Sequence, residues 1–325
     1  MDCKFLGIDV SAVKFDVALL GTGDRLRHRT FSNGRHGFAA LLKWLGEQGP
    51  GDLHVCLEAT GTYGLALATY LHQAGVKVSV VNPVCIKAFA QSELRRAKTD
   101  RVDAMVIARF CRAMRPAPWQ PAVPEVAQLQ ALVRRLADLQ AMHTSESNRL
   151  QVPGIPAQVR ASVRKMLAHI ERQMEAISRQ IEEHIQRHPG LKAQRDLLCS
   201  IPGIGKATAS VLLAENVRAS GYASARQLAA YAGLVPHRRE SGSSVRGKAR
   251  LSKRGNAHLR KALYFPAVVA MHYNPILRAF AARLRAAGKA TMVIIGAVMR
   301  KLLHQVYGVL KSGRPFDPNY EPIRA

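Results

Sequence analysis

Acidic residues are missing from a long stretch of the C-terminal half of this sequence. No Asp or Glu occurs between Ser241 and Phe316, whereas the same stretch holds fifteen Lys and Arg residues. A solvated protein face usually mixes charges of both signs, so this one-sided pattern favours a surface that binds a polyanion. The chain of 325 residues carries a formal net charge of +26. DNA or RNA is therefore the expected partner, because each phosphate that a Lys or Arg neutralises releases a counter-ion.

Long apolar runs and paired cysteines are also missing. The longest strongly apolar stretch without a charge, residues 290–299, is too short to cross a bilayer, so we expect no membrane partner. The five cysteines are scattered along the chain, which excludes a disulfide framework and is typical of reduced thiols. Together these patterns predict a cytoplasmic protein.

The N-terminal part, residues 1–115, has the pattern of an α/β domain. Short apolar runs at 4–10 and 15–20 predict two strands joined by a hairpin, and residues 25–32 could pair with them as a third antiparallel strand. Runs at 53–57 and 76–81, separated by a helix at 62–73, predict two more strands in a β-α-β arrangement, and a helix at about 99–114 follows. These elements predict an open mixed sheet with helices on its faces.

The rest of the chain is predicted to be all-α. Four prolines between residues 116 and 124 indicate a linker, and long helices follow within a segment that ends at residue 190. One of these helices carries a heptad seam, which predicts a coiled coil or a helical hairpin through which the protein dimerises. Residues 191–325 then form a basic helical domain. The seam consists of Val163, Leu167, Ile170, Met174, Ile177 and Ile181.

Four carboxylates are predicted to meet at one end of the sheet. Asp9 and Glu58 follow the first and fourth strands, which we expect to be parallel neighbours, so their carboxyl ends lie together. Asp100 and Asp103 are three residues apart on a helix and face the same way. Hard oxygen ligands of this kind select Mg²⁺ or Mn²⁺, and two such ions can clamp both oxygens of a phosphoryl transfer. Asp9 closes an apolar run, where an unpaired charge is costly, so it is not an ordinary surface acid.

A glycine-rich junction between two helices is the first candidate for DNA contact. It runs Ile-Pro-Gly-Ile-Gly-Lys from residue 201 and is predicted to form a helix-hairpin-helix. Such a turn presents the backbone N–H groups of a helix N-terminus to a phosphate without reading the base sequence. The expected contacts are Gly203, Gly205 and Lys206.

A loop of serines among basic residues is the second candidate. Ser241, Gly242, Ser243 and Ser244 form a flexible segment, and a serine there could act as a nucleophile if a base, a metal or a cationic field favoured its alkoxide. A basic Ser/Gly loop is more often a phosphate-binding loop, and the chemistry of the residues does not decide which serine acts. The predicted nucleic-acid contacts around it are Arg238, Arg239, Arg246, Lys248, Arg250, Lys253 and Arg254.

In combination these motifs resemble a known family. Their order and spacing are similar to those of the DEDD transposases of insertion sequence family 110, which are relatives of the Piv invertase, over nearly the whole chain. The matching segments are Gly7-Ile8-Asp9, Glu58 to Tyr63, Lys98 to Ala104, the hairpin turn, Ala232 to Pro236, and Ser241 to Ser244.

The resemblance implies a specific fold and mechanism. The N-terminal domain would have a RuvC-like RNase H fold, with Asp9, Glu58, Asp100 and Asp103 as Mg²⁺ ligands. Ser241 would form a covalent phosphoester with DNA. A structured RNA from the element's own end would pair with donor and target DNA, and the protein would act as a dimer or tetramer in the bacterial cytoplasm, at the nucleoid.

Two other functions fit parts of the pattern. A hydrolytic nuclease of the junction-resolving type would use the same carboxylates with water in place of Ser241. A non-catalytic nucleic-acid-binding protein would keep the carboxylates only for structure. A metal hydrolase built on His184 and His188 is disfavoured because the zincin pattern is absent, and these histidines are expected on the surface of the long helix.

Overall fold

The chain divides into two units, Met1–Pro121 and Ala122–Ala325, in a computed structural model. The structure describes residues 3–21, 25–49, 51–59, 61, 63–93, 99–237, 240–241, 245–246, 250–252 and 254–319. For residues 240–241, 245–246 and 250 it describes the backbone alone.

The first unit contains the sheet that the sequence predicts. Three antiparallel strands and two parallel ones lie in the order β3-β2-β1-β4-β5, with β1 pairing antiparallel to β2 and parallel to β4. This confirms a mixed α/β unit, and its architecture is consistent with an RNase H-like domain. The elements are β1 (Lys4–Val10), β2 (Lys14–Leu20), β3 (Leu26–Ser32), α1 (Arg35–Gly46), β4 (Leu53–Glu58), α2 (Leu65–Gln73), β5 (Lys77–Val81), α3 (Pro83–Ser92) and α4 (Asp100–Met114).

Helices cover both faces of this sheet, because the buried strands are apolar on both sides. Ile8 and Leu57 point to the face that packs against α1 and α2, whereas Phe5 and Cys56 point to the face that packs against α3 and α4. Side chains alternate between faces along a strand, so Asp9 belongs to the same face as Phe5 and α4. The acidic residue therefore lies beneath the helix that carries the other two aspartates.

Two details of this unit differ from the sequence prediction. Helix α3 was not predicted; Pro83 opens it directly after β5, because proline fits the first position of a helix and Asn82 caps it by accepting a hydrogen bond from the Val84 N–H. The first part of the predicted linker is also attached to the sheet. The Trp119 N–H donates to the Val78 carbonyl at 2.7 Å, and Ser79 Oγ donates to the carbonyl of Pro116.

The second unit is mainly helical, as predicted, but it also contains four two-residue strands that the all-α prediction did not include. Its elements are α5 (Pro124–Leu150), α6 (Ala157–Arg187), α7 (Pro189–Cys199), α8 (Lys206–Ala214), α9 (Ala225–Tyr231), the two-residue strands β6 (Pro236–His237), β7 (Glu240–Ser241), β8 (Val245–Arg246) and β9 (Arg250–Leu251), and then α10 (Ala257–Ala262), α11 (Tyr264–Tyr273), α12 (Pro275–Ala286) and α13 (Thr291–Ser312).

The heptad seam of α6 is used within the chain. Helices α5 and α6 pack against each other, and Val163, Ile170 and Ile181 of the seam are buried. The pattern thus forms a helical hairpin, one of the two structures that the spacing predicted. The division of residues 116–325 into a helical segment and a separate C-terminal domain, and dimerisation through the seam, remain predictions.

Helix α13 forms the centre of the second unit. It is long and apolar enough to cross a membrane by composition, but 56% of its most apolar window is buried. Nine of its side chains belong to the core of this unit, including Val298, Leu302 and Val306. The helix therefore reads as a core element, and no membrane protein is indicated.

Candidate active site and nucleic-acid interface

Asp9 is the centre of an acidic cluster at the carboxyl end of β1. The parallel register pairs Ile8 with Leu57, so Asp9 and Glu58 are the next residues along two adjacent strands, as the sequence predicted. Asp9 is partly buried, and burial is the largest cause that raises the pKa of its carboxyl group to about 6. The negative charges of Asp103, Asp100 and Asp16 raise it further. Like charges therefore approach each other here, as they do in sites that bind cations.

Helix α4 delivers Asp100 and Asp103 to this cluster. Thr99 caps the helix by accepting a hydrogen bond from the Val102 N–H, which fixes both aspartates in the first turn. Carboxylates are favourable there because the N-terminus of a helix is electropositive. The N-cap thus sets the position of half of the predicted ligand set.

Gly7 lets α4 approach the sheet closely, which brings the first turn of this helix near Asp9. A Cβ atom at this position would lie 2.1 Å from the carbonyl oxygen of Ala104 and 2.2 Å from the amide nitrogen of Ala108. Both atoms belong to the helix backbone, so no side chain could move aside. Gly7 is two residues before Asp9, and Ala104 directly follows Asp103; the contact therefore joins the two halves of the site.

A fifth carboxylate, Asp16, belongs to the same region and was not predicted from the sequence. It lies in β2 directly opposite Asp9 and is buried. Its Oδ1 atom accepts a hydrogen bond from Thr30 Oγ1 at 2.6 Å and contacts His28 Nε2 at 3.1 Å. The sequence did contain a signal for this position, because a short hairpin between β1 and β2 places Asp16 opposite Asp9.

Lys14 connects this buried carboxylate to α4. Its Nζ atom lies 3.2 Å from Asp16 Oδ2 and 2.8 Å from Asp100 Oδ2. The hydrogen bond to Asp100, followed by that to Asp16, raises the pKa of Lys14 above its ordinary value. The same contact lowers the pKa of Asp100. Asp100 is therefore ionised and already paired with a cation of the chain itself.

Carboxylate oxygens are chemically suited to a divalent cation, but these side chains do not converge on a single position where an ion could bind. Among the described residues, no group of three or more Asp, Glu, His or Cys side chains is close enough to hold a metal ion. The orientation of Asp100 towards Lys14 accounts for part of this difference from the prediction. Oxygen donors whose mutual repulsion raises the pKa of Asp9 nevertheless suit a hard cation.

In the second unit, α7 and α8 are joined by the glycine-rich turn. Gly203 has a φ of +107°, and a Cβ there would lie 2.8 Å from the Pro266 carbonyl oxygen, so the fold itself requires glycine at this position. Gly205 directly precedes α8 and meets nothing within 4 Å. Lys206 is largely exposed, and its Nζ atom lies 3.8 Å from Glu182 Oε1. An exposed ion pair of this kind is weak, so Lys206 is able to contact a phosphate instead.

Ser241 belongs to a small β structure. The strands β6 and β9 pair at its base, and β7 pairs with β8 so that Ser241 lies opposite Val245. Of the other residues predicted here, Gly242, Ser243, Ser244, Arg238, Arg239, Lys248 and Lys253 lie outside the described residues, the structure gives only the backbone of Arg246 and Arg250, and Arg254 is exposed.

The base of this β structure is tied to a buried polar cluster. Asn256 Nδ2 donates to Glu215 Oε2 at 2.6 Å, and the Asn256 N–H donates to the Tyr231 carbonyl. Gly255 lies so close to Tyr231 that a Cβ would be 2.3 Å from the same carbonyl oxygen. These contacts hold the end of the loop at residues 254–256 against the helical core.

The histidine pair of α6 has a structural role, and the expected surface position is wrong for one of the two. His184 is buried, and its Nε2 atom lies 2.8 Å from the Glu125 carbonyl oxygen. His188 Nδ1 lies 2.7 Å from the His184 carbonyl oxygen. Both rings thus engage backbone carbonyls, and the heptad spacing did not reveal this because it marks only the apolar seam.

Comparison with known proteins identifies the family. Residues 6–152 match the DEDD transposase model of the IS110 type, and residues 195–282 match the model for transposases of the IS116/IS110/IS902 family. The pilin gene-inverting protein of Moraxella bovis is 34% identical, with 98% of each chain covered. The chain belongs to the IS110 family of DEDD transposases.

Other relatives agree with this assignment. A protein of insertion element IS110 from Streptomyces coelicolor is 24% identical over 96% of this chain and 95% of its own length. The transposase of element IS1328 from Yersinia enterocolitica is 31% identical over a shorter region, 41% of this chain and 36% of its own. As a member of the IS110 family the protein is a DNA recombinase that acts by phosphoryl transfer, and DEDD membership implies a divalent metal ion.

Proposed function

We propose that this protein is an RNA-guided recombinase of an insertion sequence that cuts and rejoins DNA through a composite site. In this site Asp9, Glu58, Asp100 and Asp103 bind Mg²⁺ or Mn²⁺, and Ser241 is the nucleophile. The observation that carries the metal-binding part is the cluster around Asp9, where burial and three neighbouring carboxylates raise the pKa to about 6. A bound divalent ion would polarise a phosphate oxygen and stabilise charge on the attacking and leaving oxygens.

The serine step conserves the number of phosphoester bonds. The Ser241 hydroxyl loses its proton and its oxygen bonds to phosphorus, while the bond from phosphorus to one sugar oxygen breaks and that oxygen gains a proton. Rejoining reverses these changes with a new sugar hydroxyl, so no ATP is needed. The serine comes from the second unit of the same or another subunit, and the basic residues around it counter the charge of the phosphate.

The second unit carries the surface for nucleic acid. It holds 32 Lys and Arg against 12 Asp and Glu, a formal charge of +20, whereas the first unit holds 16 against 10. We expect the turn of a helix-hairpin-helix at Gly203 to Lys206 to contact the DNA backbone, together with the basic residues from Arg238 to Arg254. Backbone contacts of this kind position DNA without specifying its sequence, which leaves sequence choice to a guide RNA.

Membership of the IS110 family supports the proposals that a guide RNA takes part and that the protein acts as an oligomer. Inversion or transposition joins two DNA sites, so at least two subunits must meet. The exposed part of the α5–α6 hairpin is a reasonable place for that contact, since Met142 and Met166 on it are about half exposed.

A covalent-adduct assay tests the mechanism. The protein is mixed with Mg²⁺, RNA from the flank of the element and labelled junction DNA, then denatured, and DNA attached to protein is measured. We expect an adduct with the wild type and none with Ser241→Ala or Asp9→Asn. Removal of Mg²⁺ should abolish cleavage and leave DNA binding. Ser243→Ala and Ser244→Ala are matched controls that should keep the adduct.

The other outcomes distinguish the alternatives. Cleavage that continues without an adduct and is unaffected by Ser241→Ala would identify a hydrolytic nuclease that uses water. An Asp9→Asn variant that retains every activity would identify a nucleic-acid-binding protein whose carboxylates are structural. DNA binding that disappears entirely without metal would contradict the assignment of DNA binding to the basic residues of the second unit.

A further inference from the structure

Within the part of the chain that the structure describes, Lys14 is the cation in direct contact with Asp100. It lies at the start of β2, and its Nζ atom lies between Asp16 Oδ2 at 3.2 Å and Asp100 Oδ2 at 2.8 Å. Nothing in the family motifs refers to this residue. An ammonium group therefore contacts a carboxylate that is expected to bind a metal ion.

The two contacts of Lys14 differ in strength. Asp16 is a fixed anchor, because its side chain is only 7% exposed and also engages Thr30 and His28. Asp100 is a loose partner, because its side chain is 58% exposed and that of Lys14 is 49% exposed. Ion pairs between exposed groups contribute little, so the bond to Asp100 can open while the bond to Asp16 keeps the ammonium group nearby.

We propose that Lys14 is a built-in counter-ion of the acidic site, which neutralises Asp100 in the metal-free protein and competes with the divalent cation for this carboxylate. The inference rests on the proposed metal-binding role of the four carboxylates and adds a residue that tunes it. A metal ion that takes Asp100 must displace the ammonium group and then tolerate its positive charge close by.

A second effect of Lys14 acts in the opposite direction. By holding Asp100, it could preorganise a ligand and so favour metal binding. An Asp side chain has few rotamers, however, so little entropy is lost when a metal orders it. The repulsion between an ammonium group and a divalent ion within one side-chain length is the larger effect, even after screening by water. Removing the charge should therefore tighten metal binding.

The test is a titration of the full-length protein with Mn²⁺ in the absence of DNA, followed by calorimetry or by the electron paramagnetic resonance of free Mn²⁺. We expect Lys14→Met to lower the Mn²⁺ concentration at half saturation about tenfold, as one unit of charge near a divalent ion suggests. Lys14→Arg keeps the charge and should bind like the wild type. Lys43→Met is a matched control, since Lys43 is an exposed lysine on α1, across the sheet from α4.

Thermal unfolding gives an independent measurement. Without metal, Lys14→Met should unfold at a lower temperature than the wild type, because Asp100 is no longer neutralised beside the other carboxylates. Saturating Mn²⁺ should reduce this difference, because it compensates for the charge lost beside Asp100, whereas Asp16 stays without its contact to Lys14. Because Lys14 is exposed at the start of its strand, the variant should fold, and the Lys43→Met control reports any general effect of losing a lysine.

Two results would overturn the inference and can be told apart. If the wild type binds Mn²⁺ in a manner that Asp9→Asn abolishes, but Lys14→Met binds equally or more weakly, then Lys14 is not a competitor and the metal site stands. If the wild type shows no Mn²⁺ binding that depends on Asp9, the proposed metal site itself fails, and the inference fails with it.

Discussion

Gly7→Ala should disable the acidic site without touching any of its carboxylates. The added Cβ would lie 2.1 Å from the Ala104 carbonyl oxygen, whereas an ordinary contact begins at 3.4 Å. Helix α4 must therefore retreat from β1 by about 1.3 Å, the difference between these distances. Because Asp103 directly precedes Ala104, its carboxylate moves away from Asp9 by a similar amount. A misplacement of about 1 Å can reduce a catalysed rate roughly a hundredfold.

The same substitution should also cost stability. Overpacking of a close contact typically costs about 1–3 kcal/mol, and here both clashing atoms are backbone, so the upper part of this range is expected. The first unit, Met1–Pro121, is intermediate in size, so each kcal/mol lowers its melting temperature by about 4 °C. The fold should therefore survive at 25 °C, where DNA strand cleavage can be compared with the wild type.

Gly46→Ala is the matched control for this experiment. Gly46 ends α1 in the same unit, and a Cβ there meets nothing within 4 Å. The control should keep both its melting temperature and its cleavage rate. The reasoning would be refuted by a Gly7→Ala protein that remains folded and cleaves DNA at the wild-type rate, since the close approach of α4 would then not be what assembles the site.

Three further substitutions test other parts of the structure. Asp9→Asn should raise the melting temperature of the metal-free protein at pH 7.5, because the pKa of Asp9 is raised to about 6 in the folded state and its ionisation therefore opposes folding. This gain in melting temperature should shrink as the pH falls through 6 towards 4. A gain that stays constant with pH would contradict the reasoning. Gly203→Ala should lower the free energy of unfolding by about 1–3 kcal/mol, because Gly203 has a positive φ and its added Cβ would clash with α11. Gly205→Ala is the control and should leave the free energy of unfolding unchanged in the same denaturant titration. Asn256→Ala should cost about 2–3 kcal/mol because it removes the cap of α10 and leaves the buried Glu215 short of a donor, and a loss below about 1 kcal/mol would assign the cluster a minor role.

The main elements of the first unit could be predicted from sequence because each is marked by a local pattern. Strand ends gave Asp9 and Glu58, and the spacing of three on a helix gave Asp100 and Asp103. The structure brings the charge of Asp100 and Asp103 close enough to act on Asp9, as expected. Helix α3 was missed because a proline after a strand indicates a stop as readily as a helix start, and only the Asn82 cap distinguishes the two.

Other features depend on distances that no local pattern contains. Gly7 looks like any small residue in a strand until the path of α4 above it is known. Asp16 and Lys14 alternate correctly to share the face of Asp9, but their role depends on the β1–β2 register and on where α4 begins. The role of Ser241 depends on the family instead. The family resemblance predicts Ser241 as the nucleophile, whereas the composition of the loop alone favours a phosphate-binding loop.

Four carboxylates of the acidic cluster are each accommodated by a different physical effect. Asp9 keeps its proton up to a pH of about 6, Asp100 is paired with Lys14, and Asp16 accepts hydrogen bonds within the sheet. Asp103 lies in the first turn of α4, where the helix dipole favours a negative charge. A divalent cation would replace several of these separate effects at once, since it would favour ionised Asp9 and take over Asp100 from the ammonium group. If the carboxylates bind metal as proposed, the arrangement would be stable without the cation and would still gain from binding it.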